Sequence, residues 1–153
     1  MLPKIVIPNQ PDAAMREAIL APLVRYNAEQ VGEADYQPLA ILLTDPLGAI
    51  TGGLWGRTSY GFLFVELLAV PETHRHAGIG ERILYEAEAI AIGRGCTGAW
   101  LDTFSFQARG FYEKLGYALF GEIVDYPPGH SRYFLQKRLE SPTDADLLSN
   151  LPE

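Results

Sequence analysis

The sequence predicts a mixed α/β fold formed by a single domain over residues 1–139. Two observations predict it. Strand-like and helical patterns alternate along the chain, and a helical pattern joins the apolar segment 62–70 to the strand-like segment 98–103. Strands joined through a helix lie parallel in a sheet, whereas tight turns join antiparallel neighbours. We therefore expect a mostly antiparallel sheet with one central parallel pair and flanking helices.

A strand and a helix are expected first. Residues 4–7 form a short apolar segment that ends at Pro8, which is typical of a strand. Asp12 is a suitable N-cap for a helix that runs to about Asn27, because its carboxylate can accept a hydrogen bond from the first turn.

A hairpin and a central strand follow. The turn at residues 45–48 has proline second and glycine fourth, and it joins predicted strands at 38–44 and 49–57. Residues 62–70 are apolar at both odd and even positions, which predicts a strand buried on both faces in the middle of the sheet.

The second half alternates between helices and strands. Ile79 to Ala91 carries apolar side chains along one helical face, and glycines at 93 and 95 end that helix. Residues 107–116 predict a short helix, and residues 98–103, 117–124 and 131–139 predict strands. We expect the acidic tail, residues 140–153, to be mobile or to dock on a neighbouring subunit, which would make the protein a homodimer.

Composition excludes several classes of protein. Of 153 residues, 48% are hydrophobic and 20% charged, a globular balance without a membrane-length apolar run. No signal peptide is evident, so we expect a cytoplasmic protein. The single cysteine, Cys96, excludes an internal disulfide. The net charge of -7 disfavours nucleic-acid binding and suits a cationic partner.

The loop at residues 75–80 is the clearest candidate site. Gly78 and Gly80 stand where a helix begins, and Arg75 precedes them. The first N–H groups of a helix lack intrahelical partners, and glycines let an anion approach them closely. We interpret the loop as a diphosphate cradle. The alternative is a tight strand-to-helix turn without a ligand.

Two motifs identify a resemblance. Residues 75–80 match R-x-x-G-x-G after the sequence LAVPE, and residues 105–122 contain ARGFYEKLGY. Together they resemble the GNAT superfamily of N-acetyltransferases, over about residues 4–139. The resemblance implies a splayed central pair of parallel strands, acetyl-CoA as co-substrate and acyl transfer to an amine.

The resemblance also implies the cofactor contacts. The pantetheine arm would pair with the strand ending at residues 68–70, where an N–H near Leu68 would face the thioester oxygen. Ser105 stands where many members carry asparagine. The predicted cofactor-binding residues are Leu68, Ala69, Val70, Arg75, His76, Ala77, Gly78, Ile79, Gly80 and Ser105.

Catalysis is expected to need an acid and a base. Tyr112 occupies the family's tyrosine position, where a phenol can donate a proton to the leaving thiolate. The alternative is that Tyr112 is only a packing aromatic. Glu66 is the only charge in its apolar strand, which is costly unless the carboxylate is paired or functional, and it is the candidate base; the alternative is a structural ion pair or an edge position open to water. Tyr126 and His130 are candidates for the acceptor pocket. No metal site is expected.

Three functions compete. The favoured one is an N-acetyltransferase acting directly on a primary amine of a small molecule or peptide, without an acyl-cysteine step at Cys96. The second is a non-catalytic acyl-CoA-binding module, which would not need Tyr112 or a base. The third, acylation of a tRNA-bound amine, is disfavoured by the acidic balance.

Overall fold

The computed structural model describes residues 1–140, so residues 141–153 of the predicted tail lie outside the described residues. The chain divides into two compact units, Met1–Ala34 and Asp35–Glu153. Within the described part, no helix is both long and apolar enough to cross a membrane.

The first unit contains one helix, α1, which spans Ala13–Val31. Asp12 caps it as predicted, because its carboxylate accepts a hydrogen bond of 2.9 Å from the N–H of Met15. The predicted strand at residues 4–7 is wrong, since these residues pair with no strand of the described chain. Prolines at positions 3 and 8 enclose the segment, and proline cannot donate to a strand ladder.

The second unit is built on a six-stranded sheet of order β1-β2-β3-β4-β6-β5. Only β3 and β4 pair in parallel; the other neighbours in this sheet are antiparallel, as expected. The strands are β1 Gln37–Thr44, β2 Ile50–Ser59, β3 Phe62–Ala69, β4 Gly98–Phe104, β5 Ala118–Val124 and β6 Ser131–Arg138. The helices are α2 Ile79–Gly93 and α3 Arg109–Lys114, and a short 3-10 turn spans Glu72–His74.

The core lies between α2 and the sheet. The predicted apolar face of α2 is confirmed, because Ile83, Leu84, Ala87 and Ala91 are buried in one cluster with residues of the strands. Glu88 is also buried, which its sequence position did not predict. It tolerates burial because the Nζ of Lys137 lies 2.6 Å from its carboxylate and the hydroxyl of Tyr117 donates to it at 3.1 Å.

The expectation that β3 is buried on both faces is wrong. Leu63 and Val65 are buried on the core face, whereas Leu67, paired with the exposed Trp55, lies on the other face and is exposed. On the other face Phe64 is half-buried, because Trp100 stacks on it at 4.1 Å and the guanidinium of Arg57 lies 4.5 Å from its ring. Side chains therefore cover part of this face, and some of the apolar strand stays in contact with solvent.

Candidate active site

The strands β3 and β4 separate at their carboxyl ends. Their parallel register ends where Val65 lies opposite Leu101. Beyond that point β3 continues to Ala69 in register with β2, and β4 continues to Phe104 in register with β6. The facing edges therefore present backbone N–H and C=O groups that do not pair with each other across the gap.

Glu66 occupies a β-bulge at the start of this open edge. Trp55 lies opposite Leu67 and the next residue, Gly56, opposite Val65, so Glu66 is the extra residue of β3. Glu66 is exposed, which agrees with the predicted alternative of a position open to water and not with burial in the apolar strand. The bulge is the physical reason, because it removes Glu66 from the regular alternation of the strand. Its role as a base stays a prediction.

Tyr112 lies on α3 in largely aromatic surroundings. Its ring meets the rings of Phe111 and Tyr117 edge-on, with centroids 5.1 and 6.1 Å apart. Burial, and secondly the negative charge of Asp102, raises the pKa of Tyr112 to about 12. The phenol is therefore protonated at neutral pH and available as a hydrogen donor.

The start of α2 offers backbone donors. Gly78 adopts a left-handed conformation with φ of 76° immediately before Ile79. No side chain among residues 1–140 caps this end, so first-turn N–H groups are free at the positive end of the helix dipole. Arg75 stands beside them, and its Nε donates to the carbonyl of Val70 at 3.3 Å.

The two glycines of this loop are needed for different physical reasons. Gly78 supplies the left-handed turn, and a Cβ there would meet open space. At Gly80 a Cβ would lie 3.2 Å from the ring of Phe111, so this glycine lets α2 and α3 approach each other. This packing brings Phe111, the residue before Tyr112, into contact with the loop. Between the glycines and Arg75, both His76 and Ala77 are exposed.

Three predicted residues come together where β4 ends and β6 begins. The Oγ of Ser105 accepts a hydrogen bond of 3.0 Å from the N–H of Ser131 and lies 3.3 Å from the Nδ1 of His130. Tyr126, in the loop before β6, is linked to the same region through Arg132, whose Nη1 donates to its hydroxyl at 2.9 Å. Ser105 thus holds the loop at residues 125–130, and its contact with a cofactor stays a prediction.

Sequence reasoning missed an ion pair at this place. Arg132 binds Asp102 through Nε at 2.9 Å and Nη2 at 2.8 Å. The two residues are 30 positions apart, and only the pairing of β4 with β6 brings them together. Asp102 is a lone carboxylate in an apolar strand, which is the same signal that singled out Glu66.

The free N–H groups at the start of α2 and along the open strand edges suit a ligand that carries phosphate and amide groups. A cavity of about 320 Å³ opens beside Gly78, and its lining combines Arg82 with the carboxylates of Glu81 and Glu88, the second of which pairs with Lys137. Within residues 1–140, no group of three or more histidine, cysteine or acidic residues is placed to hold a metal ion.

Comparison with known proteins gives these features a context. The model of the acetyltransferase (GNAT) family matches residues 9–117, which include the strand gap, the α2 loop and Tyr112. The chain belongs to the GNAT family. It is therefore an acyltransferase, and the resemblance inferred from its two motifs is confirmed.

Several acetyltransferases resemble the chain over most of its length. An acetyltransferase of Agrobacterium fabrum is 40% identical over 133 residues, which are 87% of this chain and 97% of the relative. The blasticidin-S acetyltransferase of Streptomyces morookaense is 44% identical over 93 residues, which are 60% of this chain and 68% of the relative. The crystal structure of an acetyltransferase from Bacillus cereus has a TM-score of 0.77 and 34% identity, and the match covers 88% of this chain and 98% of that one.

Proposed function

We propose that this GNAT protein transfers the acetyl group of acetyl-CoA directly to a primary amine of a small molecule or a peptide. The observation that carries the proposal is the end of β3–β4 pairing at Val65 and Leu101, while both strands continue. Two side chains also support the proposal: a protonated phenol, Tyr112, and an exposed carboxylate, Glu66, at the start of the open edge of β3.

The residues that would hold acetyl-CoA form two groups. Backbone groups of residues 68–70 suit an extended arm with amides, and the N–H of Leu68 suits the thioester oxygen. First-turn N–H groups of α2, with Arg75, suit the diphosphate. Acetyl-CoA supplies an activated acetyl thioester, and the chain contributes position and proton transfer.

Glu66 is proposed as the base. An amine attacks a thioester only in its neutral form, and most primary amines are protonated at neutral pH. An exposed carboxylate at the open edge can attract the cationic amine and accept its proton at a carboxylate oxygen, directly or through water. The net charge of -7 favours recruitment of the same cation.

Tyr112 is proposed as the donor to the leaving sulfur. A thiol has an ordinary pKa of about 8.5, whereas the pKa of Tyr112 is about 12. Complete proton transfer from the phenol to a thiolate is therefore uphill. A hydrogen bond from the hydroxyl stabilises the negative charge that develops on sulfur without that transfer.

Cys96 is not placed to carry the acetyl group. It is buried at 6% exposure and precedes β4, at the opposite end of that strand from the gap. Burial raises the pKa of its thiol, which disfavours the nucleophilic thiolate. Both observations support direct transfer of the acetyl group between the two substrates.

A turnover screen tests the proposal. The wild-type protein is incubated with acetyl-CoA and aliphatic amines, aromatic amines, aminoglycosides, polyamines or peptides. Release of free CoA and the acetylated mass of the product are then measured. Acetylation of at least one primary amine is expected. Binding of acetyl-CoA without turnover of any amine would instead favour a non-catalytic acyl-CoA-binding module.

The location and the assembly are parts of the same proposal. An enzyme that consumes acetyl-CoA and a soluble amine is expected in the cytoplasm, and cell fractionation tests this. A homodimer is expected if the acidic tail docks on a neighbouring subunit. Light scattering of the full chain, compared with a variant that ends at Glu140, tests the dimer.

A further inference from the structure

Four aromatic rings gather where β4 ends and β6 begins. The rings of Phe104 and Phe106 stack nearly parallel, with centroids 5.2 Å apart and an interplanar angle of 5°. Tyr126 meets Phe104 edge-on at 5.8 Å, and His130 meets Phe106 edge-on at 5.0 Å. We call Phe104, Phe106, Tyr126 and His130 the aromatic shelf.

Much of the aromatic shelf faces solvent. Phe106 is 58% exposed and Tyr126 is 43% exposed. Exposing a large flat ring is unfavourable in water, and clustered exposed aromatics mark surfaces that bind apolar or planar groups. The shelf therefore offers ring faces to a ligand.

Polar contacts hold the shelf in place before any ligand binds. Ser105 lies 3.3 Å from the Nδ1 of His130, and the Nη1 of Arg132 donates to the hydroxyl of Tyr126 at 2.9 Å. Arg132 is in turn held by Asp102 through its Nε and Nη2. Rings that are already ordered lose little conformational entropy on binding, so stacking contributes more of its energy to affinity.

The shelf presents ring faces and not a free charge. Arg132 already donates from Nε to Asp102 and from Nη1 to Tyr126, and its Nη2 lies 2.8 Å from the same Asp102 oxygen. The guanidinium also lies 5.1 Å from the ring of Tyr126 and 5.5 Å from that of Phe104. The positive charge of Arg132 is already balanced by Asp102, so the site offers little net charge to a carboxylate ligand, whereas a neutral planar ring needs none.

The shelf lies beside the proposed reaction centre. Phe104 is the last residue of β4, three positions beyond Leu101, where pairing with β3 ends. Asp102, between them, is close enough to Tyr112 to affect the pKa of its phenol. A group stacked on the shelf is therefore next to the gap in which acetyl transfer is proposed.

We propose that the acceptor is a primary amine attached through a short linker to a planar aromatic or heteroaromatic group, which stacks on Phe106 and Tyr126. This inference rests on the proposed acetyl transfer and specifies its acceptor class. The ring fixes the orientation of the acceptor, and the linker extends the amine toward the gap.

Two amines that differ only in planarity test the inference. 2-Phenylethylamine and 2-cyclohexylethylamine have the same linker and amine, but only the first has a flat π-system. We expect the wild-type protein to acetylate 2-phenylethylamine with the higher kcat/KM. In Phe106→Leu, which keeps an apolar side chain but removes the ring, the preference should fall by about tenfold, as expected for one ring–ring contact.

The matched control is Phe62→Leu. Phe62 is also an exposed phenylalanine, at 42%, but it lies at the other end of β3 from the gap. The control should keep the wild-type preference between the two amines. Tyr126→Leu provides a second test of the shelf if Phe106→Leu does not fold, and thermal melting of each variant establishes folding.

The outcomes separate the inference from the function on which it rests. The planar-acceptor inference is overturned if the wild type and Phe106→Leu show the same preference, or if Phe106→Leu loses kcat/KM equally for both amines. Either outcome leaves the proposed acetyl transfer intact. Failure to acetylate any amine in the wider screen overturns the proposed function, and the acceptor class with it. A preference lost only in the shelf variants supports both.

Discussion

At the scale of single residues, Tyr112 and Glu66 have opposite surroundings. Burial raises the pKa of Tyr112 to about 12, whereas Glu66 is exposed on a bulge. A buried phenol remains protonated and can donate, and an exposed carboxylate can accept a proton and exchange it with water. These surroundings suit the donor and acceptor roles that amine acetylation needs.

Removal of the Tyr112 hydroxyl should slow turnover more than it weakens cofactor binding. Tyr112→Phe keeps the ring contacts with Phe111 and Tyr117 but removes the donor. We expect kcat to fall by roughly 100- to 1,000-fold, as for the loss of one donor to a developing negative charge. CoA release gives kcat, and calorimetry gives acetyl-CoA affinity. The control is Tyr60→Phe in the β2–β3 turn, which should keep the wild-type kcat. An unchanged kcat in Tyr112→Phe would show that Tyr112 only packs.

The same hydroxyl should affect stability at alkaline pH. The pKa of Tyr112 is raised from 10.0 to about 12 in the folded chain, so the folded state holds this proton more tightly than the unfolded state. The resulting stability is complete below pH 10 and is lost as the pH rises from 10 to 12. Thermal melting of Tyr112→Phe should show a shallower fall of Tm over this interval. A fall as steep as that of the wild type would contradict the raised pKa.

Glu66→Gln tests the proposed base. The amide keeps the shape of the side chain but cannot accept a proton. The rate at neutral pH should fall by roughly 100-fold or more if general-base catalysis is lost, and raising the pH should recover part of the loss because more amine is already neutral. The pH–rate profile is measured beside Glu122→Gln, an exposed control on β5. Wild-type rates across the profile would remove Glu66 from the mechanism.

At the scale of elements, the start of α2 combines two requirements in a short loop. Gly78 provides a left-handed turn that leaves the first N–H groups uncapped, and Gly80 allows close packing against Phe111 of α3. The contact between Gly80 and Phe111 therefore joins the proposed cofactor-binding helix to the helix that carries Tyr112. This arrangement explains why two glycines are found where alanine would favour the helix.

Gly78→Val should weaken acetyl-CoA binding beyond the effect of backbone strain. Gly61→Val is a matched control, because Gly61 has φ of 73° against 76° for Gly78, and at both positions a Cβ would meet open space. The two variants should lose similar stability, since both force a β-branched residue into a left-handed conformation. Calorimetry should show at least a tenfold weaker affinity only for Gly78→Val. Equal affinities in the two variants would argue against the diphosphate cradle.

At the scale of the whole molecule, β6 connects the parts of the second unit. It lies between β4 and β5, and its residues Arg132 and Lys137 pair with Asp102 of β4 and Glu88 of α2. The first pair supports the aromatic shelf, and the second neutralises a carboxylate buried beside the core. One strand thus contributes to both the site and the stability of the fold.

Loss of the Lys137 charge should destabilise the fold without a direct effect on chemistry. Lys137→Met leaves Glu88 buried without its ion-pair partner, which should lower the free energy of unfolding by about 1–3 kcal/mol. Adding Glu88→Gln should recover part of that loss, because no buried charge then remains. Urea unfolding of the single and double variants measures both effects, with Lys114→Met on the exposed surface of α3 as control. An unchanged midpoint in Lys137→Met would show that the pair does not contribute to stability.

The sequence by itself determined the helices, six of the strands, the parallel β3–β4 connection, the α2 loop and the motif that carries Tyr112. These features depend on local periodicity, capping and turn residues, which are readable within a few positions. One failure was local: residues 4–7 are as apolar as a strand, but they pair with no strand among residues 1–140, and their flanking prolines disfavour such pairing.

Only the tertiary structure decided at which residues β3 and β4 stop pairing, that Glu66 is exposed on a bulge, and that Asp102 meets Arg132 beside the aromatic shelf. Strand register is set by contacts between residues far apart in the chain, and a bulge shifts that register by one residue without a pattern of its own. Burial and ion pairing depend on those same distant contacts. The local pattern could therefore identify Glu66 and Tyr112 as candidates, but it could not determine their surroundings.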